Sequence, residues 1–219
     1  MARELTAGEE CQASARTFDA FTGRQGAVAA NFVSSAMGIA IVRGTSGVAV
    51  VRLKTGEWSA PCAIALENPN GTVQPGQESV LLFMTSNSIY KLVTRAHLIL
   101  NQTHKFVAGP ITGGGFIDDS VDVYGWVRYN QGFTQPDIVN QAMTGWVVRE
   151  DPARHGRWHG ERVTWYDVLT NKITVDRSSV GNALYVVLNI AAGGAGGGGA
   201  SLTGKANYAD MDKLAGIAP

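Results

Sequence analysis

Three short runs rich in β-branched and apolar residues, 39–42, 48–53 and 58–66, follow one another with only turn residues between them. Runs of this length favour strands, and Thr55-Gly56 between the second and third is a hairpin signal, so the middle of the chain must pair antiparallel with itself. Further strands are expected at 79–84, 97–101, 121–129 and 144–149. Helical spacing is confined to stretches around these. Thr6 and Glu9 form a capping box ahead of Cys11, Ala15, Phe18 and Phe21, which predicts a helix over 6–22 ended by Gly23. A second short helix is expected at 27–37, a third after Ser86 with Ile89, Leu92 and Val93 inward, and another capped by Thr164 and Asp167. Residues 180–190 are apolar enough for a buried helix or a strand, and periodicity does not separate the two. Helices and hairpin-linked strands are segregated rather than alternating, which defines an α+β class: a curved, largely antiparallel, barrel-like sheet with helices packed on one side.

Of 219 residues, 45% are hydrophobic, enough for one core of ordinary size. Lys plus Arg balance Asp plus Glu at 18 each, so no long-range field recruits nucleic acid, and any anion site must be local. Cys11 and Cys62 are the two cysteines, too few for a disulfide framework, and a reducing interior fits them best. The first residues lack the apolar stretch of a secretory signal, and no apolar run is long enough to span a bilayer. The sequons at Asn70 and Asn101 are accordingly read as unused. Residues 67–76 carry the Pro, Gly and Asn of a surface loop. Residues 191–200 are only Gly and Ala and cannot build a core, so 1–190 is expected to be the domain, 191–200 a linker and 201–219 a tail.

The run Gly47-Val48-Ala49-Val50-Val51-Arg52-Leu53-Lys54-Thr55-Gly56-Glu57-Trp58-Ser59-Ala60-Pro61 resembles the hallmark of the SYLF, or Ysc84-like, domain: a strand ending in Arg, a Gly turn, and Trp-Ser-x-Pro. Ala36-Met37-Gly38-Ile39-Ala40-Ile41 before it is similar to the family in register. So are Gln74, Gly76 and Glu78 ahead of the strand to Met84, Val107-Ala108-Gly109-Pro110, and the aromatic 124–132 segment after it. The resemblance spans about residues 10–190 and is to the stand-alone, fungal type, for neither an SH3 domain nor a FYVE finger has room or ligands here. It departs at Glu67-Asn68-Pro69-Asn70-Gly71, where relatives carry a Gly-rich stretch, and at Asn101, where a Gly is usual. It implies a cytoplasmic, peripheral membrane protein that binds acidic phospholipids or phosphoinositides, with actin as a partner in fungal relatives.

Residues 154–162 are the densest in chemistry: Arg154, Arg157 and Arg162 against Glu161, beside Trp158, His155 and His159. Arginine forks take phosphate oxygens, and Trp suits a membrane interface, so Arg154, Arg157, Trp158 and Arg162 are the candidate headgroup ligands, in a loop, with Arg52 and Lys54 of the hairpin next. Protonation of His155 and His159 below about pH 6.5 would add charge there. The same two His with Glu161 have metal-ligand spacing, but Gly156 and Gly160 argue against a helix to align them, and no metal or other cofactor is assigned. Gly113-Gly114-Gly115 resembles an anion nest without a P-loop ending, and Asp118, Asp119 and Asp122 do not fit an EF-hand. Trp58 and Ser59 are read as structural, since no His and Asp stand near to activate the hydroxyl, so no enzyme is predicted. The first helix, net negative over residues 1–30, is expected to put its Phe18 face on the sheet rather than on a membrane. A reading from another class is a carbohydrate-binding or surface-active defence and immunomodulatory protein, with exposed Trp and Tyr stacking on sugars.

Overall fold

The computed structural model describes residues 5–69, 71–95, 97–112, 114–172 and 177–193, the side chains of 177–181 apart; the tail and most of the linker anticipated from sequence lie outside them. The chain opens with α1 (Ala7–Thr22), α2 (Ala30–Ser35), β1 (Gly38–Arg43), β2 (Ser46–Val51), β3 (Cys62–Glu67) and β4 (Glu78–Phe83). Next come α3 (Ser86–Arg95), β5 (His97–Ile99), β6 (Phe106–Ala108), β7 (Val123–Tyr129) and β8 (Gly132–Phe133). It continues through α4 (Pro136–Met143), β9 (Val147–Glu150), α5 (Pro152–His159), α6 (Trp165–Leu169) and α7 (Arg177–Ala191). At the start of α1 both halves of the capping box form: Glu9 N donates to Thr6 Oγ1 at 3.3 Å, and Thr6 N donates to Glu9 Oε2 at 2.9 Å.

One sheet runs in the order β5-β9-β3-β2-β1-β4-β7-β6, with β8 added on β7. Every pairing is antiparallel except β6 with β7. The protein is thus of the α+β class, with a strongly curled, mostly antiparallel sheet. The tight β1–β2 hairpin turns at Gly44, whose φ of 63° suits glycine. Of the runs 48–53 and 58–66, expected to pair antiparallel, the ladder forms between residues 46–49 and 62–65. Between them residues 52–61 leave the regular ladder but stay linked by an Arg52 to Trp58 bridge and by backbone bonds from Leu53 N to the Glu57 carbonyl and from Ser59 N to the Val51 carbonyl, both 2.7 Å.

The helices cover both faces of the sheet, where one side was expected. The reason is legible in the strands: β1 and β4 are apolar at nearly every position, so neither face can be left wet. Ile39, Ile41, Val48, Val50, Val80 and Leu82 meet Phe18, Phe21, Phe32, Leu184 and Leu188 from α1, α2 and α7 on the outer face. On the other face, Leu98 and Leu100 from one end of the sheet join one core with Phe106 and Ala108 from the other end. That face is therefore the inside of the curl, filled by Ile89, Leu92, Val139, Met143 and Trp165 of α3, α4 and α6. A bridge from Leu100 to His104 draws the two ends of the sheet together. Burying side chains such as Phe18 and Phe21, both fully inaccessible, contributes roughly 1.5–3 kcal/mol each to the outer layer.

Two glycines let the inner and outer layers close. A Cβ on Gly109 would lie 1.9 Å from the Trp126 ring, and one on Gly125 would lie 2.4 Å from the Phe106 ring. Trp126 Nε1 then donates to the Pro110 carbonyl at 3.0 Å, which accounts physically for the Gly109-Pro110 pair. Among the described residues no helix is long and apolar enough to cross a membrane.

Candidate functional site

The Arg-turn-Trp-Ser segment folds into a knot of backbone contacts. Gly56, at φ 85°, turns the chain, and Leu53 N donates to the Glu57 carbonyl at 2.7 Å. Arg52 is 7% exposed, and its Nε, NH1 and NH2 donate to the carbonyls of Ala36 (3.2 Å), Gly56 (3.2 Å) and Val33 (3.4 Å). Its guanidinium carbon stands 4.1 Å from the centre of the buried Trp58 ring. Arg52 therefore leaves the set of candidate headgroup ligands: its donors are turned inward, where they hold α2 to the hairpin. Ser59 is fully buried; its hydroxyl accepts from Val51 N at 3.0 Å and donates to the Ala60 carbonyl at 2.9 Å. The Ser59 carbonyl accepts from Tyr185 of α7 at 2.9 Å.

Residues 154–162 were expected as a loop, and the structure corrects this: 152–159 are helix α5. Asp151 caps it, its Oδ1 accepting from Arg154 N at 3.1 Å. Pro152 occupies the first turn, and Gly160 ends it at φ 100° with its N–H on the Gly156 carbonyl at 2.8 Å. Asp-Pro and the terminal Gly were the available signals; the mid-helix Gly156 obscured them. Helical spacing stacks Arg154 on Trp158, with Cζ 5.2 Å from the ring centre, and His155 on His159, with ring centres 4.8 Å apart.

The candidates divide by exposure. Arg154 reaches inward, NH2 donating to the Gly47 carbonyl at 2.9 Å with Nε 3.8 Å from Asp151. Trp158 is half-buried against the outer core. Arg157, Arg162 and Lys54 are exposed. Because His159 Nε2 donates to the Pro61 carbonyl at 2.7 Å and Tyr185 holds Ser59, α5, α7 and the 59–61 segment meet at one corner of the molecule.

The two histidines do not serve as an exposed charge switch. His155 is 1% exposed, and among the described residues no hydrogen bond of good geometry reaches its ring nitrogens, although the backbone of Thr164 and Val163 favours its protonated form. Burial, and after it the neighbouring His159, lowers its pKa to about 4. Burial lowers His159 too, opposed by its bond to Pro61. Strengthened anion binding as pH falls through 6.5 is therefore no longer expected. Among the described residues no three His, Cys, Asp or Glu side chains converge on a metal-sized site. Asp118 accepts from the Ser120 hydroxyl at 2.6 Å and from Ser120 N at 2.8 Å, and after these from Lys105 at 3.3 Å, and these bonds hold its carboxyl below the usual range. Asp122 accepts from Thr85 at 2.5 Å and from Lys105 N at 3.0 Å. Of the glycine nest, Gly113 lies outside the described residues, and the Gly115 carbonyl accepts from Asn31 at 3.2 Å.

Of the tryptophans and tyrosines that the carbohydrate reading would have exposed, Trp58, Trp126, Trp146, Trp165 and Tyr124 are buried, Trp158 is half-buried and Tyr129 is exposed. Sequence reasoning also passed over an open cleft lined by Glu67, Thr72 and Arg149 among others, where the β3–β9 pairing brings Glu67 and Arg149 together. No protein-family model matches this chain, and no curated protein matches it.

Proposed function

We propose that this chain is a non-enzymatic module, peripheral to cytoplasmic membranes, that binds acidic phospholipid headgroups, phosphoinositides among them, at the C-terminal end of α5. The observation that carries the reading is the exposure of Arg157 and Arg162 on either side of the Gly160 turn, with Trp158 half-buried beside them. An exposed guanidinium pair offers bidentate phosphate contacts, and an interfacial indole anchors the surface. The likeness of residues 47–61 to the SYLF hallmark supports the same reading and adds filamentous actin as a second partner. The non-enzymatic part is supported by Ser59, whose hydroxyl is committed to two backbone groups rather than to a base.

Sedimentation with phosphatidylcholine vesicles, with and without phosphatidylserine or a phosphoinositide, tests it. Binding should require the anionic lipid and weaken with salt. The Arg157→Ala/Arg162→Ala double variant should lose about thirtyfold in affinity, the effect of two basic residues at an anionic surface, with its melting temperature unchanged. Equal sedimentation of parent and variant sinks the assignment. Co-sedimentation with actin filaments checks the second partner separately.

A further inference from the structure

A cleft of about 760 Å³ opens where the β1–β2 turn, the end of β3, the loop that follows it and the start of α5 meet. That volume falls in the range of small-molecule sites, roughly 300–1,000 Å³. Its polar lining is Thr45, Ser46, Thr72, Asn68, Glu67, Asp151 and Arg149, and Ala65, Leu66, Pro69 and Val73 give it an apolar part. Its floor is rigid. β3 is paired on both sides, Leu66 N donates to the Thr45 carbonyl at 2.9 Å, and Asp151 N donates to the Ala63 carbonyl at 3.1 Å.

The charges decide what fits. Arg149 places Nε and NH2 each 2.6 Å from Glu67 Oε1 and donates NH1 to the Glu150 carbonyl at 2.9 Å. The cations at hand are already engaged, Arg149 with Glu67 and Arg154, just outside the lining, with Asp151 at 3.8 Å and the Gly47 carbonyl, so none is left over to favour a phosphate or sulfate. Among the described residues no aromatic side chain lines the cleft, so a flat ring has nothing there to stack on. What remains is hydrogen-bonding capacity. Both short contacts to Glu67 fall on Oε1 and leave Oε2 uncommitted among the described residues. The hydroxyls of Thr45, Ser46 and Thr72 likewise have no partner there, and each both donates and accepts. A carboxylate beside a guanidinium complements two adjacent hydroxyl groups, one donating to the carboxylate and the other accepting from an N–H.

We propose that this cleft binds a small, neutral, polyhydroxylated ligand of monosaccharide or cyclic-polyol size. Glu67 and Arg149 take a vicinal diol, and the three hydroxyl residues take its neighbours. The proposal uses none of the residues of the phospholipid reading and does not depend on it. A solvent-open site without aromatic stacking should bind weakly, with Kd on the order of 1–10 mM.

The test is a nitrogen-15 NMR titration of the full chain with D-glucose, D-mannose, D-galactose and myo-inositol, to about 100 mM each, with sodium phosphate and choline chloride as charged comparisons. At least one of the four neutral ligands should give saturable shifts centred on residues 45–46, 66–73 and 149–151. Glu67→Gln should weaken that binding by about tenfold or more, as expected for loss of a charge-assisted pair of hydrogen bonds. Since the Glu67–Arg149 pair is nearly half exposed, the substitution should leave the melting temperature almost unchanged. Thr72→Val, at an exposed position, provides a second variant should Glu67→Gln prove unstable, and should also weaken binding. The proposal is overturned by absence of saturable shifts from all four, by phosphate or choline shifting the same amides as strongly, or by unchanged affinity in a folded variant.

Discussion

Replacing Arg52 by Ala separates a structural cation from a headgroup ligand. Two of its three carbonyl contacts, to Ala36 and Val33, are buried, and the third, to Gly56, is partly so. Hydrogen bonds to a charged donor are worth about 1.5–3 kcal/mol each when buried, and a cation over a Trp face about 0.5–2 kcal/mol. Water will reach some of the vacated carbonyls, so the low ends apply, and Arg52→Ala should destabilise by about 4 kcal/mol. Arg52→Lys keeps the charge but loses the planar fork, and should recover about half of that. Urea unfolding followed by tryptophan fluorescence and by far-ultraviolet circular dichroism measures both. A double-mutant cycle with Trp58→Phe should show coupling of about 1 kcal/mol through the ring contact. If Arg52→Ala unfolds within about 1 kcal/mol of the parent while its binding to anionic vesicles collapses, Arg52 is a lipid ligand and the structural argument fails.

Three further outcomes are expected. His155 is a base whose folded pKa, about 4, lies below its unfolded value near 6.5, so the unfolded chain binds the extra proton first. Its contribution is present in full above pH 6.5 and is lost as pH falls toward 4, about 3 kcal/mol in urea titrations, and His155→Phe should flatten that slope. The buried thiols of Cys11, raised to about 12, and Cys62, raised well above 9, should resist a thiol-labelling reagent at pH 8 in the native state and react once unfolded; rapid native labelling would show a loose core. Gly109→Ala drives a methyl into the Trp126 ring and should cost on the order of 3 kcal/mol by thermal melts, whereas an unchanged melting temperature would mean the strand can shift.

Local chemistry was enough for the class of fold and for most of its elements. Thr6 with Glu9 and Thr164 with Asp167 form the capping boxes that their spacing predicts, because a cap is decided within four residues. The apolar runs at 39–42, 48–51, 62–66 and 79–83 lie in neighbouring strands of one antiparallel sheet, because β-branched residues joined by tight turns have few other partners. Residues 180–190, ambiguous by periodicity, are helical within α7, which packs on α1 and the sheet: among its described side chains Leu184 and Leu188, one turn apart, are buried. Which charges reach the surface was equally a tertiary matter. In sequence Arg52, Arg154, Arg157 and Arg162 look alike; in the structure the carbonyls of Val33, Ala36, Gly47 and Gly56 turn the first two inward and leave the other two at the surface. The cleft between Glu67 and Arg149 was beyond sequence for the same reason. Its two walls are 82 residues apart in the chain and adjacent only through the β3–β9 ladder, and no local propensity reports a long-range register.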